Sequence, residues 1–103
     1  KPSSSVALLD ADRLSWPLTI RTWRHGDWFV PTGMAGRRKK LQDYFTDAKL
    51  GRSMRERIPL VLSGEGIAWI VGQRVDARFA ATGSTLRFVL ALVTQPLRRK
   101  GVF

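Results

Sequence analysis

The chain has 103 residues, 44% hydrophobic and 25% charged, which is one folded domain's worth of sequence and too apolar for a disordered tail. It has no cysteine, which excludes disulfides, thiolate zinc sites and cysteine nucleophiles and fits a reducing cytoplasm. Its 18 Lys and Arg against 8 Asp and Glu give a net charge of +10, a statement about partners rather than fold, for which a polyanion, and nucleic acid in particular, comes first.

Lys1 to Ser5 is polar and reads as a disordered, frayed N-terminal edge. A start at Lys1 rather than methionine reads as a piece of a longer protein. Nothing there resembles a signal peptide, and no apolar run approaches the roughly 20 residues of a membrane span. Val6 to Leu9 predicts a short strand ended by Asp10-Ala11-Asp12, and Trp16-Pro17 a bend. Leu18 to Trp23, β-branched and aromatic, predicts a second strand, His25-Gly26-Asp27 a turn, and Trp28 to Val30 a third strand stopped by Pro31.

Thr32 to Gly36 is a loop with two glycines. Leu41, Tyr44, Phe45 and Ala48 then recur at helical spacing and predict an amphipathic helix over Lys39 to Lys49, stopped by Gly51. Ser53-Met54-Arg55-Glu56 has the form of a capping box and predicts a second, short helix limited by Pro59. Leu60 to Leu62 and Ile67 to Val71 predict a hairpin through Ser63-Gly64-Glu65-Gly66. Val75 to Phe79 is a weaker strand. Leu86 to Val93 predicts a final strand with Leu86, Phe88, Leu90 and Leu92 on one face, followed by a basic tail over 95–103. The sum is a single α+β domain over residues 6–94: compact, β-rich, with one or two short helices inserted in the middle.

Catalytic chemistry finds little to work with. The single histidine, His25, stands beside a turn glycine and reads as a surface residue. Ser63-Gly64-Glu65-Gly66 lacks the lysine and spacing of a phosphate loop, and Glu65 would repel a phosphate. Asp43 and Asp47 read as members of a helix-surface charge network with Lys39 and Lys40. The expectation is no catalytic residue, no metal site and no cofactor of its own.

The basic residues are concentrated. Residues 37–57 hold eight basic and three acidic side chains, so about a fifth of the chain carries +5, half the net charge. Arg37, Arg38, Lys39 and Lys40 fall at the start of the predicted helix, where cations oppose the helix dipole by about 0.3–1 kcal/mol each. An arriving phosphate would relieve that conflict, with Gly33 and Gly36 permitting close approach. Lys49, Arg52, Arg55 and Arg57 extend the run. Arg24 flanks Trp23 as a further candidate, while Arg21 either joins that surface or pairs with Asp27 across the turn. Trp69 reads as core. For Trp16, Trp23 and Trp28, completion of the core outweighs stacking on bases.

The ordered run Arg21-Thr22-Trp23-Arg24-His25-Gly26-Asp27, Pro31-Thr32-Gly33-Met34 and Lys39-Lys40-Leu41-Gln42-Asp43-Tyr44-Phe45 continues through Arg57-Ile58-Pro59 to Ile67-Ala68-Trp69 and Arg74 to Phe79. It resembles the C-terminal substrate-binding domain of bacterial tRNA(Ile)-lysidine synthetase, over about Ala7 to Phe79, with little likeness after Thr82. The resemblance implies a sandwich-like domain similar to one in phenylalanyl-tRNA synthetase (PheRS-beta). It implies docking on the acceptor stem of an isoleucine tRNA, on behalf of a ligase that joins lysine to the wobble cytidine. ATP with Mg and lysine would then serve a catalytic domain of the same parent chain, whose S-G-G-x-D-S loop is absent here, and a homo-oligomer would form through the parent. Lys39, Lys40, Lys49, Arg52 and Arg57 match basic positions of the pattern. Trp23, Gly26, Asp27, Pro31, Gly33 and Trp69 become structural positions, and Gly51 departs from the pattern's proline. The alternative is a module that orients or gates the catalytic domain without strong RNA affinity.

Overall fold

A computed structural model describes residues 6–92. The expectations for residues 1–5, Val93 and the basic tail lie outside the described residues. In chain order the elements are β1 (Val6–Asp10), a 3-10 turn (Ala11–Arg13), β2 (Leu18–Arg21), β3 (Trp28–Phe29), β4 (Lys39–Lys40), α1 (Leu41–Asp47), α2 (Arg52–Arg55), β5 (Leu60–Ser63), β6 (Gly66–Ile70), β7 (Arg74–Val75) and β8 (Phe88–Leu92). The domain is β-rich with two short helices in the middle. Among the described residues no helix is long and apolar enough to cross a membrane.

A four-stranded antiparallel sheet, in the order β2-β5-β6-β7, forms the centre. Both of its faces are covered, which is why β5 is buried at every position. On one side Phe29, Leu41 and Phe45 pack with Leu60, Leu62, Ile67 and Ile70. On the other, the separate β1–β8 pair lays Ala7 and Leu9 against Val61 and Trp69. Each fully buried Leu or Phe contributes about 1.5–3 kcal/mol.

One irregularity makes this two-sided packing work. Val61 pairs with Trp69, yet Leu62 pairs with Ile67, so Ala68 is an extra residue in β6. In a regular strand Ile67 and Trp69, two apart, would share a face. The bulge sends Ile67 to the helix side and Trp69 to the β1–β8 side. The carbonyl of Ala68 accepts the Asp76 N–H at 2.9 Å, tying the bulge to the chain beyond β7.

Four expectations need correction. Lys39–Lys40 is a strand, not the first turn of a helix: it pairs with Trp28–Phe29, and Lys40 has extended backbone (φ −67°, ψ 139°). The second helix begins at Arg52 with Gly51 as its N-cap and no side-chain cap, so Ser53 is inside the helix and caps nothing. The second strand stops at Arg21, because Asp27 draws the chain into its turn by accepting the Arg24 N–H at 2.8 Å. Of Val75 to Phe79 only Val75 is strand. Asp76 instead makes an isolated bridge to Pro31.

The predicted final strand begins only at Phe88, leaving the exposed Leu86 outside it, and it sets Phe88, Leu90 and Leu92 on one face that points outward. Leu8, Phe88, Leu90 and Leu92 are between 46% and 60% exposed, whereas Val89 and Ala91 pack inward. Leu8 stands directly opposite Leu90, and Val6 opposite Leu92, so the outer surface of the β1–β8 pair is an apolar ladder.

Candidate nucleic-acid interface

The basic stretch runs from the loop before β4 through the end of α2. Arg37, Arg38 and Lys40 are exposed, and so are Lys49, Arg52 and Arg57. Their side chains make no hydrogen bond or ion pair to protein among the described residues. Arg24, exposed in the β2–β3 connection, is likewise uncommitted through its side chain. These seven cations are open to an anion.

Two other candidates are engaged within the protein. The half-buried Lys39 puts its Nζ 2.5 Å from Asp47 of α1. Arg55 donates from Nε to the Leu50 carbonyl at 2.6 Å and from a guanidinium N–H to Thr46 Oγ1 at 3.4 Å, with its guanidinium 5.7 Å from the Phe45 ring centroid. Arg55 thus satisfies a carbonyl just past the C-terminal end of α1.

The expected phosphate seat at a helix N-terminus is not built. The Leu41 N–H, first of the free donors, is taken by the Asp27 carbonyl at 2.9 Å, and α1 is a single seven-residue piece. The stretch is held in place by the other end of α1. Leu50 N–H donates to the Phe45 carbonyl at 2.9 Å and Lys49 N–H to Thr46 at 3.0 Å, the paired bonds of a Schellman stop. Lys49 occupies the left-handed position of that motif, with φ of 59°, where glycine is the usual residue.

The structural-motif residues surround this stretch. Arg21 pairs with Asp27 through two bonds, 2.8 and 3.0 Å. Burial opposes ionisation of Asp27, but the bonds from Arg21 and the Arg24 N–H, with the charges of both arginines, hold its pKa below the usual carboxylate range. Arg21 is correspondingly raised, first by its bond to Asp27. Gly26 has φ of 95° in the turn that Asp27 closes, and Gly33 has φ of 84° in the loop leading to Arg37. Pro31 is buried. Trp23 meets Phe45 edge-on at 6.0 Å, and Trp69 is 3% exposed. Trp16 is 61% exposed and belongs to neither core cluster. His25 is exposed in its turn.

Ser63-Gly64-Glu65-Gly66 forms the β5–β6 hairpin, with Gly64 at φ of 60° and Ser63 Oγ accepting the Ser15 N–H at 2.7 Å. With its hydroxyl so used and Glu65 at the tip, this segment does not fit a nucleotide phosphate. Among the described residues no group of three His, Cys, Asp or Glu is placed to hold a metal ion.

Sequence reasoning missed Arg13, Arg78 and the surroundings of Trp28. The guanidinium of Arg38 lies 3.9 Å, and that of Arg78 4.6 Å, from the Trp28 ring centroid. Arg78 is fixed from below by Asp76, which is fully buried and accepts its Nε at 2.9 Å and an amino N–H at 2.8 Å. No local spacing relates Arg13, Arg38 and Arg78.

The family model for the TilS substrate C-terminal domain matches residues 18–91. The chain is 53% identical over 85 residues to a tRNA(Ile)-lysidine synthase of Parabacteroides distasonis, covering 82% of this chain and 19% of that protein. Against the tRNA(Ile)-lysidine synthase of Bacteroides thetaiotaomicron the identity is 43% over 85 residues, 82% of this chain and 20% of that one. The chain therefore spans about a fifth of the length of these curated relatives. The crystal structure of a TILS C-terminal domain matches with a TM-score of 0.73 and 32% identity, covering 92% of this chain and 75% of that one. The family match runs to residue 91, correcting the expectation that likeness fades after Thr82. Strand β8 lies within it, and its pairing with β1 makes it part of the fold.

Proposed function

Because the chain belongs to the family of TilS substrate C-terminal domains, we propose that it is the tRNA-docking part of a tRNA(Ile)-lysidine synthase. The observation that carries this is the set of seven exposed cations whose side chains make no hydrogen bond or ion pair among the described residues, six of them within residues 37–57. Phosphate contacts supply affinity and register, and an A-form stem is recognised by shape. The acceptor stem of an isoleucine tRNA is the segment engaged, away from the base to be modified. The parent acts as a cytoplasmic ligase, joining lysine to the wobble cytidine at the expense of ATP with Mg. Those reactants belong to a catalytic region outside this chain, and the fragment itself performs no step.

The apolar ladder of β1 and β8 favours a second reading, in which the domain chiefly orients the catalytic region and holds little RNA by itself. Titration of this chain with isoleucine tRNA at several salt concentrations, beside a non-cognate tRNA, separates the two. RNA docking predicts a log–log salt slope that falls by about 0.7–0.9 for each phosphate contact removed, as in Lys40→Ala or Arg57→Ala. Absence of tRNA affinity, in a chain whose deletion from the parent still cripples turnover, would establish the orienting role instead.

A further inference from the structure

Trp28 divides two depressions of opposite character. The smaller, about 90 Å³, is lined by Asp27 and Glu65 as well as Trp28 and Arg78, and its carboxylates repel an anion. The larger, a groove of about 470 Å³, is lined by Arg13, Arg38 and Arg78 with Trp28, Val30 and Gly36, and no acidic side chain lines it. That size lies within the range of ligand sites.

The three arginines are not equivalent. Arg78 is committed to buried Asp76. Arg13 reaches the Arg78 carbonyl at 3.5 Å and stands 3.6 Å from Asp10, a loose hold that leaves it half-exposed. Arg38 donates to no protein acceptor among the described residues, yet its guanidinium lies over the Trp28 ring, 3.9 Å from the centroid. A guanidinium with restrained orientation and free donors is prepared for the two parallel hydrogen bonds that a phosphate accepts. With guanidinium groups against its ring, Trp28 serves as a platform for arginine rather than for a base.

We infer that this groove is a dedicated seat for one backbone phosphate of the bound RNA. Arg38 is the two-pronged donor, Arg13 the second cation, and Trp28, Arg78 and Asp76 the positioning layer. The inference rests on the RNA-docking reading and deepens it: Arg13, Trp28 and Arg78 lie outside the basic stretch, and here geometry matters as well as charge.

The test measures tRNA affinity and salt slope for the wild-type chain and for Arg38→Ala, Arg38→Lys and Lys40→Ala, each checked for an unchanged melting temperature. Arg38→Ala is expected to weaken binding by roughly tenfold, as for a lost charge-assisted hydrogen bond, and to lower the slope by about 0.7–0.9. Arg38→Lys keeps the charge but not the fork, and should fall within about threefold of the alanine variant. In the wild type the Trp28 indole N–H resonance should move on saturation with tRNA. Wild-type affinity in Arg38→Lys, with Lys40→Ala weakened, would overturn the seat and leave RNA docking standing. Absence of tRNA binding by the wild type would overturn both.

Discussion

Asp76 offers a demanding test of how the groove is held together. Its side chain is fully buried and accepts four donors: the Val30 N–H at 2.8 Å, the Arg78 N–H at 2.7 Å, and two guanidinium N–H groups of Arg78. Asp76→Ala leaves the two backbone N–H groups without acceptors, at about 1–3 kcal/mol each. Breaking a buried ion pair costs about 3–5 kcal/mol, but Arg78 keeps 37% of its side chain in solvent, so its charge stays hydrated and the lower figure applies. Because all four bonds end on one carboxylate these costs overlap rather than add, and the larger alone sets the expected loss at no less than about 3 kcal/mol, a large share of the roughly 5–15 kcal/mol that stabilises a domain. At about 4–8 °C per kcal/mol for a domain near this size, the melting temperature should drop by about 12–24 °C. Thermal and urea unfolding followed by circular dichroism read this directly. Released Arg78 should also loosen Trp28, so the variant's tRNA affinity, measured well below its melting point, should fall. A cooperative transition within about 1 kcal/mol of wild type would refute the assignment of Asp76 as the clasp of this region.

Other expectations follow from single residues. Lys49→Gly should raise stability by about 0.5–1 kcal/mol, since a side chain in the left-handed region costs about 1–2 kcal/mol and glycine's extra freedom returns part of it; denaturant midpoints that fall would contradict this. The same change should weaken tRNA binding, so stability and affinity move in opposite directions. The lowered pKa of Asp27 means that its pairing with Arg21 is fully stabilising above about pH 4 and is lost as pH falls through the folded value. The stability advantage of wild type over Asp27→Asn should therefore be constant above pH 5 and shrink towards pH 2; parallel pH profiles would be inconsistent with it. Arg55→Ala should cost about 1–2 kcal/mol through the freed Leu50 carbonyl, with an unchanged salt slope; a lower slope would make Arg55 a phosphate contact.

Much of the fold is legible in the chain because its apolar runs are bounded by turn residues. The Leu60 to Leu62 and Ile67 to Val71 runs announce the central hairpin, and Leu41, Tyr44 and Phe45 the helix. Where reading failed, a longer-range partner had decided the matter. Lys39 and Lys40 extend a helical pattern, but Trp28 and Phe29 hold them in a strand. Ser53 and Glu56 spell a cap, but Gly51 already starts the turn. Alternation at Leu86 to Leu92 shows that a face exists without saying which side meets the core. The bulge at Ala68 is invisible, since Ile67 and Trp69 are both simply apolar until their partners are known. At the candidate site, the charge-rich stretch was visible as composition. The Arg13, Trp28, Arg38 and Arg78 cluster was not, because the sheet assembles it from residues up to 65 apart.

The apolar ladder of Leu8, Phe88, Leu90 and Leu92 gives the +10 charge a second consequence, colloidal rather than chemical. Two copies of this chain repel strongly in dilute buffer, where the Debye length is about 30 Å at 0.01 M, and their greasy faces are kept from meeting. At 1 M salt that length shrinks to about 3 Å and the repulsion is gone at contact distance. The salt that would weaken the proposed docking on RNA phosphates thus also removes the barrier to self-association through the apolar ladder, so both properties should answer to the same electrolyte.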